Sequence, residues 1–215
     1  MDLVIGNKNY SSWSLRPWLL LSAFGLDFKE INETLIKTDR RQRLAKYSPS
    51  CKVPVLIDGE LRIWDSLAIC EYVSEVYLQD SGWPEDRILR AQARMLCAEM
   101  HAGFQALRNE MPMNCRARRK LKLSSSVVDD IARIDDIWSS YTGEHGQLGT
   151  WMFGSFSIAD CFFAPVALRF RTYGIILSDG AQLYARQLLD HPSVLEWVEA
   201  AKLEKETLLE DEVGT

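Results

Sequence analysis

The sequence predicts an α/β domain followed by an all-α domain, on three observations. Strand and helix signals alternate over residues 1–78. The polar stretch Gln79-Asp80-Ser81-Gly82-Trp83-Pro84-Glu85-Asp86, broken by Gly and Pro, then reads as an interdomain linker. Over 87–215 strand signals almost vanish and helical periodicity takes over. At 215 residues and 47% hydrophobic composition, the chain is long and apolar enough for a sizeable core.

The elements follow in order. The apolar run 3–5 reads as a strand, 15–24 as a helix stopped by Gly25 at its C′ position, and 28–35 as an alternating strand. A short helix is expected over 40–47. After Ser48-Pro49-Ser50, strands at 53–57 and 61–64 flank Asp58-Gly59-Glu60, where Asp-Gly signals a hairpin turn. A helix over 66–78 closes a β-α-β-α-β-β-α unit, which implies a mixed sheet covered by helices. In the second domain 88–110, 126–141, 158–173, 181–189 and 194–203 accept helical periodicity.

Composition narrows the function. A net charge of −5 argues against a general nucleic-acid binder, which needs a surplus of Lys and Arg toward the phosphates. The basic group Arg116, Arg118, Arg119, Lys120 and Lys122 reads as a solvated helix end or loop. Met1-Asp2 opens with an acid, 3–5 is too short for the apolar core of a secretory signal, and no run is long enough for a bilayer span. The five cysteines, Cys51, Cys70, Cys97, Cys115 and Cys161, are odd in number and widely separated, which suits a reducing cytoplasm. His101, His145 and His191 have no metal-ligand spacing, so no metal is expected.

The segment Tyr10-Ser11-Ser12-Trp13-Ser14-Leu15-Arg16-Pro17-Trp18 is the most informative. Proline is tolerated in the first turn of a helix, so Pro17 places the N-cap between Trp13 and Arg16, with Ser14 the best capping residue. Ser11 and Ser12 are then expected in the strand-to-helix loop. There their hydroxyls would flank unpaired N–H groups and partial positive charge, an environment that holds an anion or a thiolate. Plain capping and turn solvation would account for the same string.

Three further sites stand out. Asp65-Ser66 opens the helix over 66–78, where Ser66 can present O–H and N–H to a carboxylate and Asp65 can accept from an ammonium, or where the pair simply caps. Val53-Pro54 heads a strand, and the proline leaves Val53 less committed to the ladder and able to pair with an extended peptide. Ser157-Ile158-Ala159-Asp160 is a capping box with a structural role. Met100, Phe104, Met111 and Met113, with His101, Arg108 and Asn114 nearby, read as helical core, or as one wall of a substrate pocket.

Taken together, these motifs resemble the glutathione S-transferase family over essentially the whole chain. Ser11-Ser12-Trp13-Ser14-Leu15-Arg16 is similar to the SSCSxR motif of the zeta class, with Trp13 where that motif has Cys. Lys52-Val53-Pro54-Val55-Leu56 is similar to the family's xVPxL segment with its cis-proline. Asp65-Ser66-Leu67-Ala68-Ile69 resembles its E/Q-S-x-A-I element, one methylene shorter at the acid, and the box from Ser157 to Asp160 resembles its C-terminal helix cap.

The resemblance implies a thioredoxin-like N-terminal domain, a helical C-terminal domain and a cytoplasmic homodimer. It implies glutathione as co-substrate, with Ser11, or failing it Ser12, donating to the sulfur. Val53, ahead of Pro54, would pair with the cysteinyl part, and Asp65 and Ser66 would hold the γ-glutamyl end. The expected reaction is attack of a glutathione thiolate on a small hydrophobic electrophile. The alternatives are a glutathione-dependent isomerase of the maleylacetoacetate type, or a non-catalytic regulator on the same fold. A free thiol with a pKa of about 8.5 is only a few per cent ionised at neutral pH. A hydroxyl bond to the charged sulfur contributes roughly 1.5–3 kcal/mol, which lowers that value by about one to two units. One serine beside a helix end therefore suffices to make the thiolate a major species.

Overall fold

Strand β1 (Asp2–Gly6) is an interior strand of a four-stranded sheet in the order β2-β1-β3-β4. The computed structural model describes residues 1–142 and 151–215 of the chain, and His145 lies outside them. Leu3, Val4 and Ile5 are fully buried, as a continuous apolar run covered on both faces should be. Strand β2 (Lys29–Glu33) pairs parallel to β1, and β3 (Val55–Asp58) pairs antiparallel on its other side. Strand β4 (Leu61–Trp64) returns antiparallel to β3 through the expected turn, where Gly59 takes a φ of +57°.

Helices α1 (Ser12–Ala23), α2 (Arg40–Ala45) and α3 (Ser66–Tyr77) complete the α/β half. Gly25, with φ +66°, ends the first of them as expected, because only glycine adopts that conformation without a steric penalty. The helical half holds α4 (Arg87–Ala102), α5 (Gln105–Glu110), α6 (Ser125–Tyr141), α7 (Ile158–Tyr173), α8 (Asp179–Asp190) and α9 (Pro192–Leu203). The single helix expected over 88–110 is two. Its break falls at Gly103, where a Cβ would sit 2.8 Å from the Glu99 carbonyl oxygen, and at Phe104, which is left-handed at φ +59°. Arg108 stitches the break by donating to the carbonyls of Gly103 and Met100.

Helix α7 is buried along nearly its whole length and packs against α1, α4 and α8. The capping box forms at its start: Asp160 Oδ2 accepts from the Ser157 N–H at 2.8 Å and the Ser157 hydroxyl at 3.1 Å. Its other oxygen accepts from the Tyr184 hydroxyl at 2.7 Å. Burial raises the Asp160 carboxyl to about 6, against the hydrogen bonds that lower it. Met100, Phe104, Met111 and Met113 are buried in the common core, as their default reading had it.

Residues 204–215 return across the molecule as a strap. The Glu204 carboxylate accepts the N–H groups of Lys8 and Asn9 at 2.9 and 3.0 Å. Glu212 accepts from the Tyr10 hydroxyl, the Asn114 amide and Arg119. Arg116 donates to the Glu206 carbonyl and the Tyr10 hydroxyl, both at 3.0 Å. Arg116 and Arg119 of the basic group are thus structural, which corrects their reading as merely solvated charges.

Candidate functional site

Helix α1 begins earlier than Pro17 implies. Ser11 is the N-cap residue and Ser12 the first helical residue, so Pro17 sits in the second turn. Ser14 does not cap. Its hydroxyl faces inward and accepts from the Gly6 N–H at 3.1 Å and from the Ser11 hydroxyl at 2.7 Å, tying the end of β1 to α1. That bond explains the shift: Ser14 links two elements rather than closing one helix end.

Ser11 and Ser12 are both only 6% exposed and line one cavity of about 290 Å³ with Tyr10, Trp13, Cys51 and Val53. Cys51 is half-buried there, whereas Cys70, Cys97, Cys115 and Cys161 are buried. Burial pushes the Cys70 thiol far above the ordinary thiol range and the Cys115 thiol up to about 12, which leaves both inert. The Ser12 hydroxyl accepts from Arg169 Nη2 at 3.1 Å, a contact from α7 across to α1.

A second cavity of about 380 Å³ shares Trp13, Lys52 and Val53 with the first and continues to Pro54, Trp64, Asp65, Ser66 and His101. The Val53-Pro54 bond is cis. The β1–β3 register starts at Val55, so Val53 lies outside the ladder with its peptide groups uncommitted to the sheet. Asp65, at φ +83°, turns the chain out of β4 into α3. Its carboxylate does cap, accepting from the Leu67 N–H at 2.8 Å, while Oδ2 faces His101 Nε2 at 3.1 Å. Capping and cavity lining are the same residue's two roles.

Behind Ser66 stands Arg16, 1% exposed, whose Nη1 donates to the Ser66 hydroxyl at 3.3 Å. Its guanidinium is packed between the rings of Trp13 and Phe162, 4.3 and 4.4 Å from their centroids. Arg108 covers the Trp13 ring too, at 4.9 Å. Arg16 makes no salt bridge among the described residues, and its Nε has no hydrogen-bond partner there. Burial brings Arg16 down to about 9, and the like charges of Arg108 and Arg169 add to that; it remains a cation at neutral pH. A buried cation that reaches the cavity through a serine favours an anion on the other side.

Sequence reasoning missed these arginines as a group. In the sequence Arg16 stands out only as one position of a motif, and Arg169 lies in an apolar helix with no local signal. The sequence sets His101 beside a methionine cluster; in the structure it faces the cavity edge-on to Trp13 at 5.2 Å. Burial holds its imidazole below the usual histidine range, against the pull of Asp65.

Residues 10–76 match the family model of the glutathione S-transferase N-terminal domain. The chain is 33% identical over 170 residues to glutathione S-transferase Z1 of Arabidopsis thaliana, covering 74% of each protein. It is 24% identical over 177 residues to a probable maleylacetoacetate isomerase of Caenorhabditis elegans, covering 80% of this chain and 79% of that protein. Its fold matches the crystal structure of a glutathione transferase homolog from Burkholderia with bound glutathione, at a TM-score of 0.72 and 24% identity, over 94% and 97% of the two chains. The thioredoxin-like sheet with its helical second half, and the 33% identity across three quarters of the sequence, make this chain a member of the glutathione S-transferase family.

Proposed function

We propose that this protein binds glutathione along the two joined cavities and activates its thiol for attack on a small hydrophobic electrophile. The observation that supports this most is that the two cavities share Trp13, Lys52 and Val53 in their walls. Ser11 and Ser12 stand at one end, Asp65 and Ser66 at the other, and Val53 with its uncommitted peptide lies between them. Ser66, with Arg16 behind it, would receive the γ-glutamyl carboxylate, and Asp65 its ammonium. Val53 would pair with the cysteinyl backbone. A serine at the start of α1 would donate to the sulfur, with the helix end adding to the stabilisation of the thiolate. The protein supplies position and charge stabilisation, and the sulfur itself attacks.

A second reading, a glutathione-dependent isomerase, has two supports. One is the name of the nematode relative. The other is that Arg16 and Arg108 flank Trp13 at the groove and would favour an acidic substrate. The family also implies a homodimer, to which the exposed Leu61 of β4 and Met95 of α4 are suited. The test is steady-state turnover with glutathione and a panel of aryl halides, epoxides, peroxides and maleylacetoacetate. Turnover that collapses in the Ser11→Ala, Ser12→Ala double variant supports the proposal. Calorimetry that detects no glutathione binding to the wild type overturns it.

A further inference from the structure

We infer that the cavity between the linker and the start of α7 is a second ligand site, built for a small organic cation such as a protonated aryl-alkyl amine. The cavity has a volume of about 280 Å³ and shares no lining residue with the two cavities of the groove, so the inference stands apart from the glutathione site. Its walls are apolar and mostly aromatic: Trp83, Pro84, Leu89, Phe153 and Phe156. They are also fixed. Trp83 is buried, and its Nε1 donates to Glu71 at 2.9 Å. The Phe153 ring lies 5.2 Å from that of Tyr141, and Phe156 stacks on His191 at 4.6 Å and meets Trp151 edge-on at 5.0 Å. The volume is at the small end for ligand pockets, which suits one ring and a short arm.

The polar groups around the cavity decide the sign of the charge it takes. Glu85 and Asp86 both line it and are exposed. Asp86 Oδ1 accepts from the Ile88 and Leu89 N–H groups at 2.8 and 2.9 Å, while Asp86 Oδ2 and the Glu85 carboxylate have no partner among the described residues. Two helix starts, those of α4 and α7, reach the cavity, and an open helix start favours an anion. Both are capped instead: Asp86 serves α4, and at α7 the Ser157 N–H goes to Asp160 and the Ile158 N–H to the Gly82 carbonyl at 2.9 Å. No cationic side chain lines the cavity among the described residues. Arg90 spends its Nη1 on the Pro84 and Glu85 carbonyls, and Arg94, 5.4 Å from the Trp83 ring centroid, is paired with Glu71. His191, stacked on Phe156, is held below the usual histidine range by burial and is neutral at pH 7. A cation therefore meets aromatic walls and two open carboxylates, whereas an anion meets the same carboxylates without a cation or an open helix end.

The test is calorimetric titration of the full chain at neutral pH with probes of one shape and different charge: 2-phenylethylamine, a cation there, 2-phenylethanol, which is neutral, and 3-phenylpropanoate, an anion. The amine is expected to bind with a Kd of about 1 mM or tighter, the alcohol about tenfold more weakly, and the acid not measurably. Glu85→Gln with Asp86→Asn removes both charges and leaves an asparagine able to cap α4. This double variant should weaken the amine about tenfold, with about threefold from each position. Phe156→Leu, which keeps an apolar side chain in the wall, should weaken the amine about threefold or more. Saturating glutathione should change the amine's Kd by less than about twofold, because the sites share no residue. The inference is overturned if the amine does not saturate the protein below about 10 mM, if the alcohol or the acid binds as tightly, or if glutathione displaces the amine. A loss of less than about threefold in the double variant overturns it as well, because the carboxylates then do not hold the charge.

Discussion

The two ends of the groove present their hydroxyls in different surroundings. At the Ser11–Ser12 end both hydroxyls are almost wholly enclosed, and Ser12 meets a guanidinium from α7. At the Asp65–Ser66 end Asp65 is 44% exposed along its side chain, and the neighbouring His101 is partly solvated. Only Ser66, backed by Arg16, is enclosed there. The contrast shows where a charge will matter. Interactions of enclosed groups are worth several times those of groups screened by water.

The largest expected effect comes from undermining the helix that delivers Arg169. Asp160→Ala leaves the Tyr184 hydroxyl and the Ser157 hydroxyl and N–H without their acceptor, and is expected to lower stability by roughly 3 kcal/mol in chemical denaturation. Its carboxyl is held at about 6 when folded, above the ordinary aspartate value near ~4. Between those values the unfolded chain ionises first, so stability should fall as pH rises from about 4 to about 6. In Asp160→Asn that part of the slope should vanish; an unchanged slope would show that Asp160 does not titrate there.

At the other enclosed group, Ser66→Ala removes a hydroxyl from the proposed carboxylate site and leaves Arg16 with one partner fewer. Glutathione binding is expected to weaken about 10- to 100-fold by calorimetry, the range of a charge-assisted hydrogen bond. A loss below threefold would place the carboxylate elsewhere.

The smallest effect belongs to the solvated pair. Burial lowers the His101 pKa, so the ring is neutral at pH 7 and leaves the Asp65 charge for an ammonium. Acidification to well below the ordinary histidine range should protonate it, let it compete for Asp65, and weaken glutathione binding by about threefold, the scale of an exposed ion pair. His101→Gln should flatten that dependence. If the variant shows the same fall, the competition lies at another group.

Much of the fold was legible because its signals are local. Asp58-Gly59 dictated a hairpin, Gly25 a helix end, and Ser157 with Asp160 a capping box, each through chemistry within a few residues. The groove residues were legible for a related reason: Ser11, Ser12, Val53, Asp65 and Ser66 sit where an element starts, and starts leave a sequence trace. What stayed hidden was decided by distant partners. Ser14 looked like the cap of α1 until Gly6, 8 positions earlier, claimed its hydroxyl. Arg169 reaches Ser12 across 157 positions, and nothing in an apolar helix announces that contact. The split of 88–110 turned on a close backbone approach at Gly103 that periodicity does not register.

The strap formed by residues 204–215 has a consequence for assembly. Glu204 fixes the N–H groups of Lys8 and Asn9 across 196 and 195 positions, and Glu212 fixes Tyr10 across 202. Contacts of such separation close last, because the entropy of so large a loop must first be offset by the rest of the fold. The turn that presents the two serines is therefore completed only when nearly the entire polypeptide has found its place, and an isolated thioredoxin-like half would display the right residues without the buttress that aims them.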